Sequence, residues 1–209
     1  PGPVVIPRVF IPTSASLHTA PASWTDMKTK DYLIVALLPL ALLLIPFTGN
    51  LTVEGWNWKW TDFVFAWVVF TVTTLVFRFL VTRPLANLAY KAGVALAVLA
   101  GFLDIWITAA VQIIGDENPA NLLYLGVILT GLGGVALARF RPAGMAKAAF
   151  ATAAVTFVVP IVGVIVKPTD FSPGIPQVFL LNGGFVLMFV VSGLLLRHSA
   201  GQPAISAAA

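Results

Sequence analysis

LAYKAGVALAVLAGFLDIWITAAVQII, residues 88–114, carries charge only at Lys91 and Asp104. A bilayer's hydrocarbon core is about 30 Å thick, and roughly 20 apolar residues in a helix cross it. This run alone is long enough to span. Comparable apolar runs cover Tyr32–Phe47, Phe63–Val81, Leu122–Ala138, Ala146–Val166 and Val178–Leu196, of which Tyr32–Phe47 and Leu122–Ala138 are short. Turn or charge signals bound them: Thr48-Gly49-Asn50, Arg83-Pro84, Asp116 to Pro119, Arg141-Pro142, Lys167-Pro168 and Arg197-His198. The expectation is an all-α fold, a polytopic transmembrane helical bundle of six spans occupying residues 31–198.

Composition agrees. Of 209 residues, 59% are hydrophobic and 10% charged, against about 25% charged in an ordinary soluble domain. Cysteine is absent from the sequence, which excludes disulfides, thiolate metal sites and thiol catalysis. The net charge of +4 could suggest nucleic acid, but its distribution points to a bilayer. Arg8, Lys28, Lys30, Arg78, Arg83, Lys91, Arg139, Arg141, Lys147 and Arg197 fall on one side of a six-span topology, and only Lys59 and Lys167 fall on the other. Basic residues accumulate on the cytoplasmic side. Six helices with both termini cytoplasmic satisfy this alternation, whereas five or seven would scramble it. The lipid bilayer is the expected partner, and nucleic acid is not.

Residues 1–30 differ in kind. Pro1, Pro3, Pro7, Pro12 and Pro21 lie among Val, Ile, Ser and Thr without a helical period, and proline at this density favours extended chain. The segment is expected to form an extended arm that reaches a membrane-protein partner, and residues 199–209 a flexible tail. The order of a secretory signal, basic start then apolar stretch then small-residue site, is not present in the arm, and Met27 offers a plausible start.

Asp104 is the acid deep within a span. Intramembrane carboxylates are costly and are functional candidates by default. Thr108 and Gln112 follow at four-residue steps, placing the three on one helix face. They make a candidate polar track for a proton or cation, with Asn182 near the start of the sixth span as a further member. The plainer alternative is an Asp that fastens its helix to a neighbour by a hydrogen bond. Arg78, one turn inside the end of the second span, is expected to snorkel to the interface.

Two further patterns stand out. Gly126, Thr130 and Gly134 form a small-residue row that permits close helix packing, internally or with a partner. Trp56, Trp58 and Trp60 alternate in the first outer loop, so an extended segment would place the indoles on one side. Tryptophan favours the headgroup level, and stacking on a sugar or quinone is the sharper alternative. His18 and His198 lie outside the spans, no His/Asp/Glu cluster has metal-ligand spacing, and no phosphate loop or Ser-His-Asp constellation is visible. No cofactor is expected.

The turn Gln112–Tyr124 contains Asn118-Pro119-Ala120, the tripeptide of water channels. It occurs once, is followed by Asn121 rather than arginine, and lies between two full spans. It reads as helix punctuation. Gly115 would end the third helix in the left-handed conformation, Asn118 would cap the fourth, and Pro119 would fill its first position.

The stretch VQIIGDENPAN (Val111–Asn121), continuing to Ala138-Arg139-Phe140-Arg141-Pro142-Ala143-Gly144-Met145-Ala146, resembles a family of small multi-spanning bacterial inner-membrane proteins. Trp60-Thr61-Asp62-Phe63, Asn87-Leu88-Ala89-Tyr90-Lys91 and Leu180-Leu181-Asn182-Gly183 share the likeness, which covers roughly Asp31 to Arg197. The resemblance implies a fold and a location in the bacterial inner membrane but no activity. It departs from the family in carrying Asp104 in place of an apolar residue and Thr108 in place of asparagine. The leading functional expectation is a non-enzymatic accessory or structural subunit of a larger membrane complex, docked through the arm and the Gly126 row. The alternative is a small transporter or channel using Asp104, Thr108 and Gln112. A third reading is an enzyme acting on a lipid or quinone at the tryptophans.

Overall fold

The computed structural model describes residues 28–83 and 87–202. Among these, six helices are long and apolar enough to cross a membrane, the fourth only together with the turn that leads into it, Pro119–Leu137: α1 Thr29–Thr52, α2 Trp60–Val81, α3 Leu88–Val111, α4 Leu123–Leu137, α5 Pro142–Val166 and α6 Ile175–Ala200. A short 3-10 turn, Pro119–Leu122, leads into α4. The protein is a multi-pass membrane protein, all-helical among the described residues. Most of the proline-rich arm and of the tail lie outside the described residues; of the expected arm, Thr29 and Lys30 belong to α1, and of the expected tail, Ser199 and Ala200 belong to α6.

Sequence-local chemistry sets the helix starts. At α1 and α2 the third helical residue is an aspartate whose carboxylate accepts the free N–H of the residue before the helix. The bonds are Lys28 N to Asp31 Oδ2, 3.0 Å, and Lys59 N to Asp62 Oδ2, 2.8 Å. Each carboxylate also faces the positive end of its helix dipole. Asn87 caps α3 by accepting from Tyr90 N at 2.8 Å. Pro142 opens α5 and Pro176 lies in the first turn of α6, positions where the missing N–H costs nothing.

The helices form two bodies of unequal tightness. Helices α3 to α6 make a bundle in which α5 and α6 pack along their lengths, α6 also backs onto α3, and α4 leans on α5. Its core holds Tyr124, Ile114, Val127, Val159, Val178, Phe185 and Phe189. The hairpin of α1 and α2 joins this bundle through α2 against α3. Elsewhere the surface is apolar, with Leu37, Leu44, Leu129 and Leu187 more than half exposed, as expected of side chains that meet lipid.

Most helices extend a few residues beyond the apolar runs read from the sequence, and the far ends of α1 and α3 differ for local reasons. α1 runs through Pro39 and Pro46 to Thr52 rather than stopping at Phe47. Both prolines are buried, and Thr48 Oγ1 bonds back to Leu44 O and Ile45 O, which keeps this turn helical. Gly49 lets the Trp56 ring approach: a Cβ there would come within 2.8 Å of it. α3, in contrast, stops at Val111 rather than Ile114. Gln112, not Gly115, takes the left-handed conformation that ends it, with φ of 50°. Ile113 and Ile114 then fold back into the core, 3% and 0% exposed.

Candidate intramembrane polar site

Asp104 lies in the third quarter of α3 and is 0% exposed. Among the described residues, neither carboxyl oxygen has a hydrogen-bond partner. Asn182, in the second turn of α6, is 2% exposed. Its Nδ2 donates to the Tyr124 hydroxyl of α4, while its Oδ1 has no partner. The Tyr124 hydroxyl lies within electrostatic reach of the Asp104 carboxyl. Three helices thus place an acid, a phenol and an amide in one region of the bundle core, the phenol and amide bonded to each other and the acid apart. The fastening hydrogen bond considered for Asp104 is not formed.

The expected polar track is only partly assembled. Thr108 is half-buried, and its Oγ1 has no partner. Gln112 is exposed past the end of α3, where its Oε1 accepts from Asn121 Nδ2 at 3.2 Å. It belongs to the turn rather than to the site. Tyr124 was missed by sequence reading. The signal was there: a phenol within an apolar helix needs a partner for its hydroxyl when buried.

The turn from Gln112 to Asn121 is a dense structural knot. Asn121 Oδ1 accepts from Ile114 N at 3.1 Å, and its Nδ2 donates to Gly115 O and Asn118 O at 2.6 and 3.0 Å. Asn118 Oδ1 accepts from Ala120 N at 3.1 Å, and its Nδ2 reaches Gly163 O and Lys167 O at 3.3 and 3.2 Å. One side chain therefore starts the 3-10 turn and also gives a second donor to two carbonyls at the end of α5, Gly163 O and Lys167 O, which already accept from Lys167 N and Asp170 N.

The tryptophans do not form one face. Trp58 packs against Trp56, Phe63 and Trp106, with ring centroids 6.0, 5.2 and 6.0 Å apart. Trp106 continues the series to Phe70 at 5.3 Å. Trp60 begins α2 and is 75% exposed. Aromatic contacts therefore join the α1–α2 hairpin to α3. The small-residue row also divides. A Cβ on Gly134 would come within 2.6 Å of Ala148 Cβ, so Gly134 sets the approach of α4 to α5. Gly126 has open space beside it, and Thr130 Oγ1 bonds back to Gly126 O at 2.7 Å.

At the end of the bundle where α2 stops, Arg78 pairs with Asp31 of α1 instead of reaching out to the interface. Ser192 Oγ of α6 donates to Gly93 O of α3 at 2.8 Å. Among the described residues no three His, Asp or Glu side chains gather as a metal site. The fold and this core cluster define a polytopic membrane protein with an intramembrane carboxyl. Beyond that class, no family model, curated protein or solved structure matches the chain.

Proposed function

We propose that this protein is a small proton- or cation-coupled membrane transport protein in which Asp104 is the group that is loaded and unloaded. One observation carries the reading: a wholly buried carboxyl whose two oxygens are both unpartnered, at the junction of α3, α4 and α6. A bare carboxylate in such surroundings costs several kcal/mol, so the position holds either a proton or a cation. The Tyr124 hydroxyl and the unpartnered Asn182 Oδ1 are the nearby oxygens that an incoming proton or cation would meet. Asp104 is sealed in this conformation, so exchange requires α4 or α6 to move relative to α3. The ten-to-two distribution of basic residues supports placing both termini in the cytoplasm, and the bacterial inner membrane is the location we infer.

The test is charge movement in proteoliposomes after a pH jump, read on a solid-supported membrane. Wild type gives a transient current that Asp104→Asn abolishes. An equal current from both would overturn the reading.

A second reading is an accessory subunit of a larger complex. α1 packs on α2 and leaves Leu37, Leu40, Leu44 and Ile45 uncovered, while Gly126 and Gly133 of α4 have open space beside them. A protein partner held by these faces would copurify stoichiometrically in mild detergent. A lone monodisperse chain sinks this second reading.

A further inference from the structure

A groove of about 350 Å³ runs into the protein between α2 and α3 on one side and α4 on the other, floored by α5 and α6. That volume is within the usual range of ligand sites. Its walls are almost wholly hydrocarbon, represented by Val98 and Gly101 of α3, Ile128 and Val135 of α4 and Ala149 of α5. Thr152 reaches the lining, but its hydroxyl is turned back onto Ala148 O at 2.9 Å. Phe79 and Phe140 close one end, edge to face at 5.3 Å.

Charge is fixed at that end. The Arg83 guanidinium lies over both rings, 4.5 Å from the centroid of Phe79 and 4.3 Å from that of Phe140. Its Nε and Nη2 meet no acceptor among the described residues. The only acid at this end among the described residues is Asp31, and Arg78 already holds it. Arg139 and Arg141 flank Phe140 in the same turn. Backbone strain accompanies the arrangement: Arg139 and Phe140 both have positive φ, 50° and 61°, a conformation uncommon for residues with bulky side chains. It carries Phe140 to its place against Phe79 and Arg83. A guanidinium stacked on aromatic faces keeps donors directed edgewise, the geometry suited to an oxyanion.

We propose that this groove is a binding site for an anionic phospholipid, one hydrocarbon chain lying between α3 and α4 and the phosphate received by Arg83. The apolar length of the groove and the unanswered cation at its end match the two halves of such a molecule. Basic pockets between membrane helices take anionic head groups in this way. The site is distinct from the Asp104 cluster: Gly101 and Ile105 of α3 line the groove, whereas Asp104 does not.

The experiment titrates the full chain, delipidated in mild detergent, with dioleoylphosphatidylglycerol or dioleoylphosphatidylcholine and counts bound lipid by native mass spectrometry. Wild type prefers the anionic lipid by about fivefold, the ratio that one cation beside a head group of net negative charge supplies; phosphatidylcholine offers the same phosphate, but its choline ammonium cancels the charge. Arg83→Gln brings the ratio to about one while phosphatidylcholine binding persists, because the groove is intact. Gly101→Leu, at a lining position where a Cβ would stand in ordinary contact with Ile128 Cδ1 at 3.6 Å, fills the groove and weakens both lipids. Thermal unfolding of each variant verifies that it is folded. The proposal is overturned if Arg83→Gln keeps the preference, or if folded Gly101→Leu binds both lipids as wild type does. Competition by inorganic phosphate as effective as by the lipid would also overturn it, since the groove would then contribute nothing.

Discussion

Asp31 and Asp104 are both buried carboxylates, 2% and 0% exposed, and their surroundings are opposite. Asp31, in the first turn of α1, accepts from Lys28 N and pairs with Arg78 of α2. Asp104 has neither partner nor hydrogen bond. The amides divide in the same way. Asn118 and Asn121 are bonded through both oxygen and nitrogen in the turn before α4, whereas Asn182 in the core leaves its oxygen bare. Helix ends leave backbone groups unsatisfied, so polar side chains there have structural work to do. Mid-helix backbone satisfies itself, and a polar side chain placed there answers no such need. The end groups hold the fold together, and the core groups are where function is to be sought.

The strongest challenge to this contrast is Asn118→Ala. It removes three hydrogen bonds at once, to Gly163 O, Lys167 O and from Ala120 N. The expected loss is about 3 kcal/mol at roughly 1 kcal/mol for each bond, read as a lowered unfolding midpoint in detergent. A near-neutral result would remove the end groups from the structural account.

Next comes Arg78→Met, which leaves the Asp31 carboxylate buried without its cation. A fully buried pair broken in this way costs 3–5 kcal/mol; because the Arg78 side chain is 21% exposed, water screens part of it, and about 2 kcal/mol is expected. Adding Asp31→Asn should recover at least half of that loss, since the uncompensated charge is then gone. No recovery would mean that Arg78 stabilises through its packing alone.

The sequence displayed the spans because hydrocarbon length and charge are local properties that a run of residues carries by itself. It displayed Asp104 and Asn182 for the same reason, each being polar in an apolar stretch. It displayed Tyr124 only as a phenol in an apolar stretch, and the Asn182 amide that bonds it lies on another helix. The extent of α1 was hidden because Thr48-Gly49-Asn50 reads as a turn until the Trp56 ring is seen over Gly49. Gln112 was grouped with Asp104 by four-residue spacing, yet the helix ends before that spacing can apply. Arg78 was read alone because its partner lies 47 positions earlier in another helix. Pairings across helices are the information that a single sequence lacks.

Asp104→Asn sharpens the contrast from the other side. No partner is lost, so stability should change by no more than about 1 kcal/mol, in the direction of greater stability, as a costly ionisable group is removed. Unfolding in detergent would show this even in a variant that no longer moves charge. A loss as large as that expected for Asn118→Ala would place Asp104 among the structural groups.

The smallest effect belongs to Glu117 and Lys167, an ion pair at 2.8 Å that joins the turn before α4 to the end of α5. The hydrogen bond from Lys167, and then its charge, hold the Glu117 carboxyl below its ordinary value. The reciprocal hydrogen bond raises Lys167; partial desolvation opposes this, and the charges of Glu117 and Asp170 add to it. A lowered acid contributes stability that is complete above its unfolded value and is lost as pH falls through the folded one. A raised amine contributes below its unfolded value and loses this as pH rises through the folded one. The pair therefore stabilises on a plateau between the carboxylate and amine ranges and fades at either edge. Both groups are solvated, so the contribution is small and screened by salt. Melting curves of wild type and Glu117→Gln should differ slightly at neutral pH, converge in acid, and converge again in about 1 M salt. Lys167 O still accepts from Asn118 in that variant, so the comparison isolates the charge from the cap. A salt-insensitive difference as large as that of Asn118→Ala would show that the pair, rather than the amide beside it, ties α4 to α5.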